Sequence, residues 1–244
     1  MVCNRRRSFG FGDRGAYMVL RFFILASIIL LISCTSFERN NPNDPDGINY
    51  NRGGQAVSCD MNYGTKRIGD QVWMTENLNC NVSGSKCYDN KESNCATYGR
   101  LYNWATAMAL PSSCNSSTCA SQIGTPHRGI CPSGWHIPSD AEWTTLTNFV
   151  GGASTAGKYL KATSGWYNNG NGEDKYGFSA LPGGIGGIGG AGVGFSGVGY
   201  YGHWWSSSEG DGTDASNRSM YYDYDYVDFL NGKYLLQSVR CLQD

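Results

Sequence analysis

The stretch CPSGWHIPSDAEWTTLTNFVGG, residues 131–152, contains the clearest structural signals of this sequence. Two prolines keep its first eight residues extended, because proline does not continue a helix. Ser139 and Glu142 then have the spacing of a capping box, in which each side chain accepts a hydrogen bond from the other residue's backbone N–H. Apolar residues recur at helical spacing up to Val150, and Gly151 ends the pattern. We therefore predict a short extended segment followed by a helix.

Two further elements are expected upstream of this stretch. The segment beginning Val72-Trp73-Met74 predicts a strand. Between residues 98 and 110, apolar residues again recur at helical spacing, and Pro111 stops the pattern, which predicts a second helix. Residues 79–95 and 111–130 are rich in small polar residues and read as loops.

Beyond residue 160 the sequence shows no helical pattern. Residues 183–202 include 11 glycines, and we expect a loop there. Strands are predicted only at 204–207, 218–229 and 238–241. The fold class that follows is α+β, with two helices on a small twisted antiparallel sheet and long loops.

The composition excludes several classes of protein. Aromatic residues make up 13% of the 244 residues, which is far too many for a disordered chain. We expect the tryptophans at 73, 104, 135, 143, 204 and 205 in the core, and the sequence also contains the aromatic pairs Trp166-Tyr167 and Tyr200-Tyr201. The net charge of −1 offers no basic face for nucleic acid, so no nucleic-acid partner is expected. The 34 glycines lack a three-residue period, which excludes collagen.

The N-terminal segment has the features of an export signal. Five arginines and one aspartate precede an apolar run at 22–32, which is too short to span a bilayer, and Leu-Ile-Ser-Cys follows at 31–34. This resembles the lipobox of bacterial lipoproteins, which implies acylation of Cys34, cleavage after residue 33 and a lipid anchor in the membrane. An ordinary cleaved signal and an N-terminal anchor helix are the alternatives. A start at Met18 would give a more compact signal.

Residues 34–56 then form a predicted flexible tether, and the domain occupies residues 57–244. Thr35 follows Cys34, whereas an aspartate at this position would favour retention in the inner membrane. The expected location is therefore the cell outer membrane, lipid-anchored and extracytoplasmic.

Eight cysteines remain in the domain, and an even number in an exported chain predicts disulfides. A metal site is the weaker alternative, because no two cysteines are spaced as Cys-x-x-Cys and the three histidines show no ligand spacing. Proximity in the sequence suggests the pairs Cys87–Cys95 and Cys114–Cys119. Cys131 and Cys241 are the most widely separated successive cysteines and are expected to pair with each other. Cys59–Cys80 is then left by elimination.

Six ordered segments resemble the Fibrobacter succinogenes major paralogous domain. They are residues 72–78, 98–104, 131–138, 177–183, 205–209 and 238–241. The resemblance implies an extracytoplasmic module, often a lipoprotein, with disulfides and no assigned activity. Residues 137–143 and 239–241 also resemble, more distantly, the sulfatase-modifying (formylglycine-generating) group, which implies a C-type-lectin-like fold.

Enzymatic activity is not expected. Active members of the sulfatase-modifying group use two neighbouring cysteines near the C-terminus, whereas residues 132–240 contain none, so oxidase activity is not expected. Hydrolase chemistry is weakly supported by Ser206-Ser207-Ser208 after His203 and by acidic residues at 173–174, 223, 225 and 228. The glycine-rich segment has no basic residue and no strand-GxGxxG-helix context, and we expect no cofactor.

Two groups of residues are candidates for ligand binding. Glu209, Asp211 and Asp214 offer hard oxygen ligands for calcium, although a solvated turn is the favoured interpretation, because the twelve-residue EF-hand pattern is absent. Tyr222, Tyr224 and Tyr226 would share one face of a strand, exposed for sugar rings or peptides, or packed into the sheet.

The leading functional hypothesis is a surface-anchored, non-catalytic binding or adhesion module, with carbohydrate as one ligand class. A structural or protein-interaction domain of the cell envelope is the second hypothesis, and a hydrolase of surface polymers is the third. The partners expected are the membrane through the lipid anchor and a polysaccharide or an envelope protein.

Overall fold

The structure, a computed structural model, describes residues 49–50, 56–57, 59, 62–189, 192–225 and 231–244. The predicted signal peptide, the acylation site Cys34 and most of the tether lie outside the described residues, as does Tyr226. Within these residues, no helix has the length and apolar character needed to cross a membrane.

The chain folds as a mixed α+β structure, and one of its sheets joins distant parts of the sequence. A two-stranded pair, β1 (Asn49–Tyr50) and β2 (Ala56–Val57), comes first. The next sheet has four strands in the order β3-β4-β11-β5, which are β3 (Thr65–Ile68), β4 (Gln71–Met74), β11 (Leu242–Gln243) and β5 (Trp135–His136). The strand predicted from Val72 is therefore confirmed as part of β4, and Leu242 pairs with both Trp73 and His136.

The other sheet has five strands, and its longest strands arise from the glycine-rich segment and the residues that follow it. Its order is β10-β9-β8-β6-β7, from β6 (Gly183–Gly189), β7 (Gly192–Val198), β8 (Tyr201–Glu209), β9 (Asp214–Tyr221) and β10 (Asn231–Gly232). Only the β6–β8 pairing is parallel. The expectation of a loop at 183–202 was wrong, and the sheet is mixed rather than purely antiparallel.

Glycine in β6 permits a close approach that a side chain would prevent. A Cβ atom at Gly186 would lie 2.9 Å from the Leu236 side chain, and the backbones of these two residues exchange hydrogen bonds of 2.9 and 2.7 Å. Low strand propensity and the lack of alternating side chains hid these strands from sequence analysis.

Two other predicted strands have different bounds in the structure. The strand expected at 218–229 begins earlier, at Asp214, and ends at Tyr221. Residues 238–241 form no regular strand, because their backbone groups bond alternately to two segments. The Ser238 carbonyl accepts from Trp205, and the Val239 carbonyl accepts from Leu78 at 2.8 Å.

The described residues contain four short α-helices. They are α1 (Glu92–Tyr98), α2 (Trp104–Ala107), α3 (Asp140–Phe149) and α4 (Ala156–Leu160). The helix predicted from the capping box is confirmed as α3, with both reciprocal hydrogen bonds present. The 3-10 turns are Tyr88–Asn90, Ser112–Asn115, Ala120–Gln122 and Tyr167–Asn169.

The helix predicted over residues 98–110 was wrong in its extent. Gly99, at a φ of 74°, ends α1, and Leu101 and Tyr102 form isolated bridges with Lys86 and Gln237. Because these two residues are recruited by distant chain segments, only α2 remains helical within the predicted range.

Tryptophan indoles fill the protein interior, as expected from the sequence. Trp73 and Trp143 pack with ring centroids 4.7 Å apart, and Trp104, Trp204 and Trp205 are fully buried. Each of these five indole N–H groups donates a hydrogen bond. Trp135, also expected in the core, is only partly buried.

Four disulfides link the cysteines of the domain. They are Cys59–Cys80, Cys87–Cys95, Cys114–Cys119 and Cys131–Cys241, the same four pairs as those expected from the sequence. The last of them joins residues 110 positions apart. It lies next to the pairing of β5 with β11, so a covalent bond and a sheet hold the same two segments together.

Candidate functional site

Five tyrosines form two ring groups around the end of β9, and together we call them the tyrosine surface. It consists of Tyr167, Tyr200, Tyr221, Tyr222 and Tyr224. The rings of Tyr167 and Tyr200 stack with centroids 4.4 Å apart, and the Tyr222 ring meets both edge-on. Tyr221 and Tyr224 form a second stacked pair at 4.6 Å. Tyr167, Tyr200 and Tyr224 are 51%, 40% and 41% exposed, so much aromatic area faces solvent.

A buried lysine holds the loop that carries part of this surface. The Lys161 side chain is 2% exposed, and its ammonium donates to the carbonyls of Tyr221 at 3.0 Å and Tyr224 at 3.4 Å. It also forms an ion pair with Asp225 at 3.2 Å. These contacts fix the backbone on which the rings of residues 221–224 are mounted.

Two glycines allow this loop to pack closely against neighbouring segments. The Gly157 N–H donates to the Asp225 carbonyl at 2.9 Å, and a Cβ atom there would lie 2.7 Å from that oxygen. A Cβ atom at Gly170 would clash with the Tyr222 carbonyl. The loop therefore approaches the backbone of neighbouring segments more closely than any larger residue allows.

The structure places the predicted tyrosines differently from the expectation. Tyr222 and Tyr224 lie beyond the end of β9 rather than on one face of it, and each packs in a different ring group. Tyr167 and Tyr200, which complete the surface, were noticed only as members of aromatic pairs in the sequence. Their convergence depends on the Tyr167–Asn169 turn and on the turn before β8, which no local pattern reveals.

The serines considered for hydrolysis do not form a nucleophile–base pair with His203. The His203 Nδ1 atom hydrogen-bonds to the Ser219 hydroxyl at 2.5 Å. The Ser206 side chain is fully buried, and its oxygen accepts the N–H of Ser208. Cys241 is bonded to Cys131, so it presents no thiolate.

The candidate calcium ligands are bonded within the protein. Glu209 forms a buried ion pair with Lys233 and also accepts the Cys119 N–H at 2.8 Å. Burial opposes ionisation of Glu209, but these donors outweigh it and lower the pKa of this carboxyl group. Asp211 accepts from the backbone of Thr213 and Asp214, which is the bonding of a turn.

Among the described residues, potential metal-ligand atoms cluster only at Cys87, Glu92 and Cys95. Two of these three residues form a disulfide with each other, so their sulfurs are not available as thiolate ligands.

A cleft of about 920 Å³ lies beside His136, and we call it the His136 cleft. The His136 ring is held between two carboxylates, with Nε2 3.1 Å from Glu142 and Nδ1 2.7 Å from Asp244. Burial lowers the pKa of His136, but hydrogen bonds to both carboxylates outweigh this and raise it. Burial also opposes ionisation of Glu142, yet its bonds to His136 and Ser139 lower its pKa to about 2.

The cleft was not predicted from the sequence, because the capping box alone explains Glu142. The spacing of His136, Ser139 and Glu142, each three residues apart, was the local signal available. The third group, Asp244, is 108 residues from His136 and comes into place only through β11.

Comparisons with known proteins place the chain in one family. The model of the Fibrobacter succinogenes major domain matches residues 67–243, which is most of the chain. No curated protein and no solved structure matches it significantly.

Proposed function

We propose a non-catalytic binding function for this chain, which belongs to the Fibrobacter succinogenes major domain family. In this proposal the protein is an adhesion module of the cell surface, and the tyrosine surface contacts the ligand. Exposed aromatic area of this size on one part of a folded domain is typical of interaction sites.

Carbohydrate is the ligand class that this surface suits best. Sugar rings present flat C–H faces that pack on aromatic rings, while their hydroxyl groups need nearby hydrogen-bonding partners. The exposed Tyr167 and Tyr200 rings provide the first feature, and the exposed side chains of Asn168, Asn169 and Asp223 provide the second. The single observation that carries the proposal is the exposed Tyr167–Tyr200 stack.

The bonding of the polar groups supports a role without catalysis. Both ring nitrogens of His136 are committed to carboxylates, so neither can take a proton from a nucleophile. Asp225, one of the acids considered for hydrolysis, is paired with Lys161, and the candidate calcium ligand Glu209 is paired with Lys233.

We further propose that the module is anchored to the outer membrane through acylated Cys34 and that its fold is C-type-lectin-like. Four disulfides support an oxidising, extracytoplasmic location. Short helices on two small sheets, with long irregular connections, support the fold assignment. Mass spectrometry of the N-terminal peptide tests the anchor, and an unacylated Cys34 would overturn it.

The binding proposal is tested on arrays of glycans and by pull-down with plant cell-wall polysaccharides. We expect the wild-type protein to bind neutral polysaccharides and the Tyr200→Ala variant to lose most of the signal. Tyr234→Ala is the matched control, because Tyr234 is 55% exposed and lies outside the tyrosine surface. Wild-type binding no stronger than background, or equal loss in both variants, would overturn the proposal.

A protein partner in the cell envelope is the second candidate. The packing of the rings within two groups favours it, since one side of each stacked ring is already covered and the remaining rim suits a flat protein surface. Cross-linking on intact cells distinguishes the two, because only a protein partner yields a cross-linked product that disappears with Tyr200→Ala.

A further inference from the structure

The His136 cleft has hydrogen-bonding capacity that the chain itself leaves unused. Its walls come from β11, the start of α3, the end of β8 and residues 120–127. The cleft is separate in composition from the tyrosine surface, since the two share no residue.

The nitrogen donors of His136, Gln71 and His127 in the cleft walls are already committed within the protein. Both nitrogens of His136 face carboxylates, and the Gln71 amide donates to the Glu142 carbonyl at 3.0 Å. His127 accepts the Gly124 N–H at Nδ1, and its Nε2 then carries the proton and donates to the Met108 carbonyl. Arg67, at the exposed rim, retains donors, because its one hydrogen bond goes to the Asp70 carbonyl.

The carboxylates of the cleft leave acceptor capacity unused. One Asp244 carboxylate oxygen contacts His136, and in the part of the chain that the structure describes the other makes no hydrogen bond. The Asp70 carboxylate is likewise unpaired within the described residues, and Glu142 keeps acceptor capacity at Oε1. Asp70, Glu142 and Asp244 outnumber the cations Arg67 and His136, so this part of the cleft carries a net negative charge.

Ser207 gives an independent sign that a ligand belongs there. This residue lines the cleft and is 4% exposed, yet no described group hydrogen-bonds to its hydroxyl. The Ser207 oxygen keeps contact with the cleft, where a ligand group can bond to it.

The remaining walls restrict the shape of the ligand. Val72, Ile123 and Leu242 contribute apolar surface beside the acceptors. His136 and Ser207 are only 5% and 4% exposed, which favours a group carried on a slender apolar stem over an amine attached directly to a bulky sugar ring.

We propose that the His136 cleft binds a primary ammonium group at the end of an alkyl chain, as in the lysine side chain of a peptide. An ammonium supplies three donors and a positive charge to a site rich in acceptors and negative charge. Its methylene stem packs against the apolar wall, and the ammonium donates a hydrogen bond to the Ser207 hydroxyl oxygen at the base. This site is additional to the tyrosine surface and does not depend on glycan binding.

Isothermal titration of the purified protein with Nα-acetyl-lysine-N-methylamide tests this proposal. We expect saturable binding, a loss of about tenfold in affinity for Asp244→Asn, and a smaller loss for Ser207→Ala. The Asp89→Asn variant removes the same charge from an exposed residue outside the cleft and should bind like the wild type. Circular dichroism of each variant confirms that it is folded.

Two further probes check the chemistry of the ligand. The same compound acetylated at Nζ should not bind, because it has lost its charge and two of its donors. Glucosamine should bind more weakly than the lysine probe, because its amine has no stem. The proposal is overturned if the lysine probe gives no saturable heat, if the acetylated probe binds equally well, if glucosamine binds as tightly, or if Asp89→Asn weakens binding as much as Asp244→Asn.

Discussion

The residues from Cys59 to Cys131 and those from Gly183 to Tyr221 are ordered by different means. The first group, the cysteine-linked region, contains seven of the eight domain cysteines, and its longest described strand has 4 residues. The second group, the glycine-rich region, contains no cysteine, and its four strands have 7, 7, 9 and 8 residues. Covalent bonds order the first, and backbone hydrogen bonds between closely packed strands order the second.

This difference shows two ways in which a sequence without regular patterns can give a fixed structure. Polar loops cannot bury enough apolar surface to offset their conformational entropy, and cross-links reduce that entropy in the unfolded chain. Glycine-rich strands lose more entropy on folding, but without side chains they pack against neighbours at distances closed to other residues. In the sequence, cysteines mark the region ordered by cross-links, whereas no residue type marks the region ordered by closely packed strands as clearly.

The largest expected effect comes from the disulfide with the widest separation. Replacing Cys131 and Cys241 together by alanine should lower the free energy of unfolding by roughly 5 kcal/mol, since the bridge closes a loop of 110 residues. The matched double replacement of Cys114 and Cys119, 5 residues apart, should cost about 2 kcal/mol. Urea denaturation measures both, and equal losses would show that chain entropy does not govern these bridges.

A glycine in β8 tests the ordering of the glycine-rich region. At Gly202 a Cβ atom would lie 2.5 Å from the Trp204 ring and 2.7 Å from the Leu181 carbonyl, so Gly202→Ala should cost about 3 kcal/mol. Gly194→Ala in β7 is the control, because a Cβ atom there would meet no atom within 4 Å. Thermal melting compares the two variants. If Gly202→Ala melted like the wild type, close packing would not be the reason for glycine in this strand.

The loop at 222–225, which follows β9, is ordered neither by disulfides nor by pairing of strands. Replacing Lys161 tests what holds this loop. Lys161→Met should lower stability by about 2 kcal/mol, because two partly buried carbonyls lose a charged donor. Glycan binding should weaken as well, although this side chain is buried beneath the tyrosine surface. Lys158→Met removes an exposed ion pair with Glu173 and should change stability by less than about 0.5 kcal/mol. Unchanged glycan binding in Lys161→Met would show that the loop does not need this support.

The smallest effect concerns the ionic link that joins β5 to the end of the chain, beside the Cys131–Cys241 bridge. The pKa of His136 is raised above 6.5 in the folded protein, so its stabilisation is complete below pH 6.5 and is lost as the pH rises through the folded value. The pKa of Glu142 falls from 4.5 to about 2, so its contribution is lost as the pH falls below 4.5. Stability should therefore be greatest between these limits.

Urea denaturation across this pH range measures the effect. The loss on the acidic side should be on the order of 1 kcal/mol, allowing for solvent screening of a partly exposed carboxylate. In His136→Gln the decline above pH 6.5 should disappear. A decline that persists in this variant would assign it to another group.

The sequence allowed the covalent framework and one helix to be predicted in detail. The cysteine pairs followed from spacing and elimination, and Ser139 with Glu142 located the start of α3. The capping box is a local signal, and the spacing of the cysteines limits the possible pairings to a small number. The strand at Val72 and the buried tryptophans followed from composition and apolar character.

The remainder depended on contacts between distant residues. Leu101 and Tyr102 left the predicted helix because Lys86 and Gln237 pair with them, and β6 formed because Leu236 and Gly202 flank it. The candidate sites are of the same kind. Tyr167 and Tyr200 meet across 33 positions, and Asp244 reaches His136 only through the sheet.

The affinity of the tyrosine surface for a glycan is the most direct test of the proposed function. Isothermal titration with the polysaccharide fragment that gives the strongest array signal should show a loss of about tenfold for Tyr167→Ala, because the sugar loses one ring of the exposed stack. Tyr234→Ala should bind like the wild type. Equal affinities in all three proteins would contradict the account and separate the tyrosine surface from ligand binding.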